Sequence, residues 1–206
     1  MRHGWKSDSD TEPIVQASTV GHVSKWTWRA QALDLAVGFV FCLSLGGQFL
    51  FTEFSMDFET LKTEDISGKT IFLDVDGSLI PEGQLDFDPR VIESILNLKK
   101  RNNVFLATNM RDKTRLDQLE AILQVPILTR KFRKPSAKIL SEVGTVLDKN
   151  NYIVMGDRIL IDGIFAARIG GTFIRLQRKI SWNEPIFTKF INFIDDIVWK
   201  MVKKLF

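Results

Sequence analysis

The stretch that most restricts the fold of this chain is Ile71-Phe72-Leu73-Asp74-Val75-Asp76-Gly77-Ser78-Leu79-Ile80. It opens on an unbroken apolar run, as expected of a strand buried on both faces, and two carboxylates one residue apart end that run. Alternation along an extended chain points Asp74 and Asp76 in the same direction. Ligands bind at the carboxyl ends of strands in an open parallel sheet, and Gly77 allows a tight turn there. We therefore expect both carboxylates to face one reacting group.

Strand and helix patterns alternate along the chain around this stretch. Strands are predicted over 69–74, 103–108, 126–129, 152–155 and 172–176, with helices over 89–101, 113–123, 135–147 and 159–168. This alternation predicts an α/β fold with a doubly wound parallel sheet. The gaps from Ser78 to the second strand and from Asn109 to Lys134 are each about as long as one helix needs, so no cap domain is expected.

Two segments outside this pattern divide the chain further. Residues 1–30 form a polar N-terminal arm, and residues 31–55 contain the charge-free apolar run 35–51. That run is close to the lower length limit for a bilayer span, and Trp26, Trp28 and Arg29 precede it as interfacial anchors would. A membrane-anchor or interfacial segment is the first interpretation; a buried helix of the soluble domain or an oligomer contact is the second. The catalytic domain is expected over 56–180.

The C-terminal segment, residues 181–206, is predicted to be an amphipathic helix. Apolar residues recur at helical spacing, and lysines lie mostly elsewhere on the helix. The pattern fits an interfacial helix with basic residues at headgroup level, and it fits equally a helix packed on the sheet or on the run 35–51.

Composition excludes several classes of function. A formal net charge of +3 argues against a dedicated nucleic-acid binder. Cys42 is the single cysteine, so the chain has no internal disulfide and no cysteine metal site. The two histidines, His3 and His22, lie in the polar arm, which argues against histidine catalysis or zinc binding.

Four short motifs then carry a family resemblance. Asp74-Val75-Asp76-Gly77-Ser78 resembles the first motif of the haloacid dehalogenase superfamily of aspartate-nucleophile phosphotransfer enzymes. Thr108-Asn109, Lys134-Pro135 and Gly156-Asp157 with Asp162 resemble the second, third and fourth motifs, in the right order. The similarity covers about residues 56–178. Finer features, including Arg133-Lys134-Pro135, are similar to the capless branch that contains phosphatidylglycerophosphate phosphatases.

The resemblance implies a role for each of these residues. Asp74 would attack phosphorus, Asp76 would act as general acid and base, Thr108 would donate to a phosphate oxygen and Lys134 would supply positive charge. Mg²⁺ would be the cofactor, held by oxygen atoms. Its implied ligands are Asp74, Asp76, Asp157 and the Val75 carbonyl. Asp162 would either bind the ion directly or support the residues that bind it. The implied substrate-binding residues are Ser78, Asn109 and Arg133.

The lead hypothesis is a magnesium-dependent phosphomonoesterase at a membrane, acting on a lipid phosphate such as phosphatidylglycerophosphate. An open site without a cap suits a bulky substrate, and Arg130, Lys131, Arg133 and Arg158 would favour an anionic headgroup. The alternatives are a non-catalytic or weakly active subunit of a membrane complex, and a soluble nucleotide or sugar phosphatase. The protein is expected to be membrane-associated, with its catalytic domain in the cytoplasm or an organelle matrix, and an oligomeric or membrane-complex partner is possible.

Overall fold

A four-stranded parallel sheet forms the centre of the domain. The computed structural model describes residues 56–143, 151–182 and 184–205, with side chains to residue 202, so the predictions for 1–30 and 31–55 lie outside the described residues. The strands are β1 (Thr70–Leu73), β2 (Asn103–Leu106), β3 (Tyr152–Gly156) and β4 (Thr172–Arg175). Their order is β2-β1-β3-β4, and every neighbouring pair is parallel. This confirms the predicted α/β parallel sheet.

Four α-helices connect and flank the strands. They are α1 (Pro89–Lys99), α2 (Lys113–Leu123), α3 (Ile164–Ile169) and α4 (Ile186–Leu205). Shorter pieces are the 3-10 helices Phe58–Thr60, Thr63–Asp65 and Ala137–Glu142 and a π-helical turn at Ile159–Gly163. Between β1 and β2 the chain forms a loop and α1, so no cap domain is inserted there.

Each face of the sheet carries its own hydrophobic core, as a doubly wound fold requires. Ile71 and Leu73 of β1 point to the face covered by α1 and α2, while Phe72 points to the face covered by α3 and α4. All three side chains are fully buried, which explains why β1 is an unbroken apolar run. The central strand thus fixes the position of the residues that follow it.

Local sequence signals set where α1 and α2 begin. The Asp88 side chain accepts a hydrogen bond from the Arg90 N–H, and Pro89 occupies the first turn of α1. The Asp112 side chain accepts from the Thr114 and Arg115 N–H groups at the start of α2. The predicted helix 113–123 is therefore observed with the same bounds.

Two predicted elements were wrong. The predicted strand 126–129 is reduced to a single parallel bridge between Ile127 and Leu106, because the chain turns at Arg130, whose N–H donates to the Leu128 carbonyl. The helix predicted over 135–147 is a 3-10 helix over Ala137–Glu142, since Ser136 caps it by accepting from the Lys138 N–H, and Pro135 follows a cis peptide bond outside it. Residues 144–150 lie outside the described part.

The C-terminal helix α4 packs on the domain through one face. Trp199 and Val202 are buried in the second core, and the fully buried Asp195 side chain accepts from the Ile159 and Leu160 N–H groups. In the described part of the chain, no helix combines the length and apolar character that crossing a bilayer requires.

Candidate active site

The carboxylates of the first and fourth motifs meet where the two central strands end. Asp74 follows β1 directly and Asp157 follows β3, and the Asp74 N–H still donates to the Met155 carbonyl of β3 at 2.9 Å. β1 and β3 are neighbours from which the chain proceeds in opposite directions across the sheet, and such a switch point is where α/β sheets bind ligands. The sheet order therefore brings the two motifs together.

Two glycines let the carboxylates approach the backbone. Gly77 has a φ of 80°, and a Cβ there would lie 3.1 Å from Asp157 Oδ2. A Cβ on Gly156 would lie 2.4 Å from Asp162 Cγ, a separation that atoms cannot adopt. These two positions need glycine because a carboxylate fills the space that a side chain would occupy.

Three buried aspartates form one cluster. Asp74, Asp157 and Asp162 each offer a carboxylate oxygen, and these atoms lie within 4.8 Å of one another. Burial, and then the charge of Asp74, raises the pKa of Asp157. Burial raises the pKa of Asp162 to about 7, although the nearby Lys134 ammonium acts in the opposite direction. Both shifts arise first from the removal of these carboxylates from water.

Lys134 is the buried cation of this cluster. Its Nζ lies 2.6 Å from Asp74 Oδ1 and 2.5 Å from Asp162 Oδ1. Burial favours the neutral amine, but the charges of Asp162 and Asp74 outweigh it and raise the pKa of Lys134 above its usual value. Lys134 is therefore an ammonium group beside Asp74, as the third motif predicted.

Asn109 binds the backbone of Lys134 through its side-chain amide. Its Nδ2 donates to the Lys134 carbonyl, and its Oδ1 accepts from the Lys134 N–H, both at 2.9 Å. The oxygen and the nitrogen of the Asn109 amide thus both bind the backbone of Lys134. This contact gives Asn109 a positioning role, and because Asn109 also lines the cavity described below, its substrate-binding role stays a prediction.

Ser78 also lies behind the site. Its side chain is fully buried, and Oγ lies 3.1 Å from Asp74 Oδ2 and 3.3 Å from Asp157 Oδ1. A hydroxyl has one proton, so it donates to one of these carboxylates at a time. The structure thus shows Ser78 as a link between two carboxylates, and its contact with substrate stays a prediction.

Two of the predicted Mg²⁺ ligands are directed elsewhere. The Asp76 carboxylate pairs with Arg115, with Oδ1 at 2.7 Å from Nη2, and it accepts from the Gly83 N–H. The Val75 carbonyl accepts from the N–H groups of Ser78, Leu79 and Ile80, which closes the turn after β1. The structure thus leaves Asp76 and the Val75 carbonyl outside the carboxylate cluster.

Thr108 lies at the edge of the sheet beside Asp74 and lines the same cavity. The residue is 1% exposed, and its Oγ1 accepts from the Met110 N–H at 3.3 Å. Its carbonyl accepts from the Thr129 hydroxyl. In the contact with Met110, Oγ1 is the acceptor, so the Thr108 hydroxyl can still donate one hydrogen bond.

A cavity of about 470 Å³ opens over these groups. Of the predicted site residues, Asp74, Asp76, Thr108, Asn109 and Asp157 line it, whereas Asp162, Lys134 and Ser78 are not among the lining residues. The lining also contains residues that the sequence did not single out, namely Arg111, Arg115, Arg178, Glu184, Thr188 and Asn192.

The predicted basic residues divide into two groups. Arg158 lines the cavity, with Nε at 3.8 Å from Asp157 Oδ1. Arg133 is exposed and is not among the lining residues, and Arg130 pairs with Asp117 and Glu120 of α2. The structure therefore does not place Arg133 where it could bind a substrate in this cavity.

Arg178 is the main site residue that sequence reasoning missed. Its Nε lies 2.7 Å from Asp157 Oδ2, and its Nη1 lies 3.3 Å from Asp196 Oδ2 of α4. It lies in the loop between β4 and α4, where neither periodicity nor a motif marks it. One indication of its role was available from the sequence: Arg178 lies three residues after the end of β4, near the sheet edge that carries the site.

The donor set of the cluster fits a hard divalent cation. Asp74, Asp157 and Asp162 supply three carboxylates within 4.8 Å of one another, and oxygen is the ligand that Mg²⁺ prefers. Burial and the neighbouring Asp74 charge raise the pKa of Asp157, so this carboxylate is held out of water beside a second negative group. A dication bound here would favour the ionised form of these buried carboxylates.

Comparison with known proteins decides the family. Residues 49–181, more than half of the chain, match the family described as mitochondrial PGP phosphatase. The chain belongs to this family. As a member of it, the protein is a phosphatase, which confirms the enzymatic interpretation of the four motifs.

Other comparisons are more distant. No curated protein sequence shows significant similarity to the chain. Among solved structures, the chain is similar to the NMR structure of the core domain of a protein from Streptococcus pneumoniae TIGR4 that is provisionally named a phosphoglycolate phosphatase. The identity is 20%, the TM-score is 0.39, and the match covers 61% of this chain and 96% of the other.

Proposed function

We propose that this phosphatase is a magnesium-dependent phosphomonoesterase that works through an aspartyl-phosphate on Asp74 and acts on a lipid phosphate. The observation that carries the proposal is the contact of Lys134 Nζ with Asp74 Oδ1 at 2.6 Å, at the floor of a cavity that Thr108 and Asp157 also line. A carboxylate fixed beside a buried ammonium is oriented for in-line attack, and the ammonium offsets charge on the incoming phosphoryl group.

In the first step, an Asp74 oxygen forms a bond to phosphorus while the bond from phosphorus to the leaving oxygen breaks. Asp76, which faces the same cavity, gives its proton to the departing alkoxide. Thr108 donates a hydrogen bond to a phosphoryl oxygen, and the Lys134 charge stabilises the transition state. The phosphoryl group is then bonded to Asp74 as an acyl phosphate, and the alcohol is free to leave.

In the second step, Asp76 takes a proton from water, and the water oxygen forms a bond to phosphorus. The bond between phosphorus and the Asp74 oxygen breaks, which releases inorganic phosphate and restores the Asp74 carboxylate. Bound Mg²⁺, held by Asp74 and Asp157 with Asp162 behind them or beside them, would neutralise charge on the phosphoryl oxygens during both steps.

The lipid substrate is supported by the family description and by the open cavity. No cap domain is inserted between β1 and β2, and arginines at positions 111, 158 and 178 line the cavity beside the carboxylates. This arrangement suits an anionic headgroup that remains attached to a surface. Phosphatidylglycerophosphate is the substrate we propose, and a mitochondrial membrane is the place of action that the family description supports.

A phosphate-release assay tests the proposal. The full-length protein is incubated with phosphatidylglycerophosphate in mixed micelles, with Mg²⁺ or with EDTA. We expect release only with Mg²⁺, and we expect the variant Asp74→Asn to release none. Asp86→Asn, at an exposed loop position, is the matched control and should keep full activity. Turnover by Asp74→Asn at the wild-type rate would refute the mechanism.

The role of Asp76 requires a different substrate. An aryl phosphate has a leaving group that needs no proton, so Asp76→Asn should still carry out the first step on it while the second step fails. We expect a burst of phenolate equal to the enzyme concentration, followed by little turnover. A uniform loss of both phases would show that Asp76 acts before the aryl group leaves.

A further inference from the structure

Helix α4 has two apolar faces, and one of them has no partner within the described part of the chain. The inner face buries Trp199 and Val202 against the second core. The outer face exposes large apolar side chains along most of the helix, among them Phe187 (72% exposed), Phe190 (59%), Phe193 (61%), Ile197 (41%) and Met201 (52%). Folded soluble domains seldom leave so many adjacent aromatic and aliphatic groups in water.

These exposed residues form one continuous strip. Successive residues of an α-helix are rotated by about 100°, which places all five within about a third of the circumference. We call Phe187, Phe190, Phe193, Ile197 and Met201 the apolar stripe. From position 187 to position 201 it is about 21 Å long, at about 1.5 Å per residue. Its length and width are those of an amphipathic helix lying flat in an interface.

Positive charge follows one edge of the apolar stripe. The helical rotation places Lys189 and Lys200 between the stripe and the side of α4 that carries Thr188 and Asn192, which line the cavity. Asp196 lies on the same edge, but its charge is balanced by Arg175 at 2.6 Å and Arg178 at 3.3 Å. Around the helix, the order is therefore cavity, lysine edge, apolar stripe.

We propose that the apolar stripe docks the protein on an anionic lipid bilayer, with Lys189 and Lys200 at headgroup level. The inference rests on the proposed lipid substrate and adds the surface through which that substrate is reached. In this pose the cavity opens beside the lysine edge, where headgroup phosphates lie. A lipid phosphate could then reach Asp74 while its acyl chains stay in the bilayer.

A bilayer suits this surface better than a protein partner does. Protein interfaces carry hydrogen-bonding groups among their apolar contacts, whereas the stripe consists of phenylalanine, isoleucine and methionine. Flanking lysines and a nearby interfacial tryptophan are typical of helices that lie on membranes, and Trp182, four residues before the helix, is 97% exposed. The positive charges of Lys189 and Lys200 favour binding to anionic headgroups.

Site-specific fluorescence tests the docking directly. In full-length Cys42→Ser protein, Phe190→Cys is labelled with an environment-sensitive fluorophore. Leu96→Cys on α1, where the native side chain is 43% exposed, is the matched control. Each protein is mixed with phosphatidylcholine vesicles with or without phosphatidylglycerol. We expect the label at position 190 to shift to the blue and to become shielded from iodide with the anionic vesicles, and the label at position 96 to stay unchanged.

Two results would overturn the proposal. One is a label at position 190 that responds to vesicles no more than the label at position 96. The other is a label at position 190 that is already shielded before vesicles are added, because a second copy or residues 1–55 then cover the stripe. Replacing both edge lysines, Lys189→Gln with Lys200→Gln, should weaken binding to anionic vesicles about tenfold or more. The matched exposed pair, Lys113→Gln with Lys138→Gln, should leave this binding unchanged. An equal loss of binding in both double variants would refute the placement of Lys189 and Lys200 at headgroup level.

Activity measurements separate this proposal from the proposed function. Phe190→Glu with Phe193→Glu should keep turnover of a soluble aryl phosphate and lose about tenfold or more on phosphatidylglycerophosphate in vesicles, since apolar burial drives docking. Leu96→Glu with Ile122→Glu is the control pair at other exposed apolar positions. Equal loss on both substrates would count against docking through the stripe. Absence of activity from the wild type on both substrates would refute the proposed function, while the fluorescence result would still decide the docking.

Discussion

The side chain of Asn109 binds the backbone of Lys134 at both of its polar groups. Nδ2 donates to the Lys134 carbonyl and Oδ1 accepts from the Lys134 N–H, each at 2.9 Å. The second and third motifs are therefore joined by a two-point contact, although 25 residues separate them along the chain. The ammonium group beside Asp74 depends on this contact for its position.

Asn109→Ala should lower kcat with little change in KM. Two backbone groups of Lys134 lose their partners, which should cost about 1–3 kcal/mol of stability. A displaced ammonium should cost up to about 100-fold in kcat. Asn102→Ala is the matched control, because Asn102 also joins backbone groups, those of Ile66, Leu98 and Lys69, far from the motifs. It should lower the unfolding free energy but keep kcat; equal kcat losses in both variants would contradict a positioning role for Asn109.

Gly156→Ala should abolish most activity. The new Cβ would lie 2.4 Å from Asp162 Cγ, so the carboxylate must move, and overpacking of this kind costs about 1–3 kcal/mol. Gly170→Ala serves as the comparison, since Gly170 has a φ of 71° but open space around its Cβ position. We expect it to cost about 1 kcal/mol of stability and no activity. Thermal unfolding measures the stability of both variants, and turnover of an aryl phosphate measures their activity. An active Gly156→Ala protein would show that Asp162 can move without loss of catalysis.

Arg178→Gln should raise the Mg²⁺ concentration needed for half-maximal activity. Arg178 Nε holds Asp157 Oδ2 at 2.7 Å, and loss of a group that orients a metal-binding carboxylate typically weakens metal affinity by about 10- to 100-fold. Arg90→Gln, on the exposed surface of α1, should leave the Mg²⁺ dependence unchanged. A titration of activity against Mg²⁺ distinguishes the two variants. An unchanged half-maximal concentration in Arg178→Gln would mean that Asp157 does not depend on this contact.

Asp195→Asn should reduce the fall of stability with rising pH. Burial raises the pKa of Asp195, and hydrogen bonds from Leu160 and then the Arg175 charge offset only part of that effect. The folded protein therefore holds this proton more tightly than the unfolded chain, whose aspartates titrate near about 3.9. The stability linked to the proton is present below that value and is lost as pH rises through the raised folded pKa. Denaturant unfolding of the wild type and of Asp195→Asn from pH 4 upward gives the unfolding free energy of each protein at each pH. Parallel plots of this free energy against pH would contradict the raised pKa of Asp195.

Much of the sheet and several site positions could be predicted because they depend on the order of elements. Strand ends place side chains, so Asp74, Thr108 and Asp157 were expected at one edge, and the sheet order β2-β1-β3-β4 brings these positions together. Lys134 was expected there from its motif. The apolar run of β1 predicted burial on both faces, and both cores of the structure use it.

The partners of side chains could not be predicted in the same way. The motifs predicted that Ser78 and Asn109 bind substrate, but they did not predict the contacts of Ser78 with two carboxylates or of Asn109 with the Lys134 backbone. Arg178 was missed because it lies in a loop without periodicity, and its contact with Asp157 depends on how that loop crosses the sheet. Local sequence indicates where a residue lies, while these contacts arise between distant segments.

Helix α4 is tied into the domain more tightly than a detachable tail would be. Asp195 caps the turn that carries Asp162, and Arg178 links Asp157 to Asp196 of the helix. A protease that cut the loop before α4 would consequently inactivate the enzyme instead of releasing a working fragment from its surface. With the proposed docking through the apolar stripe, shedding from the membrane and loss of catalysis would be a single event.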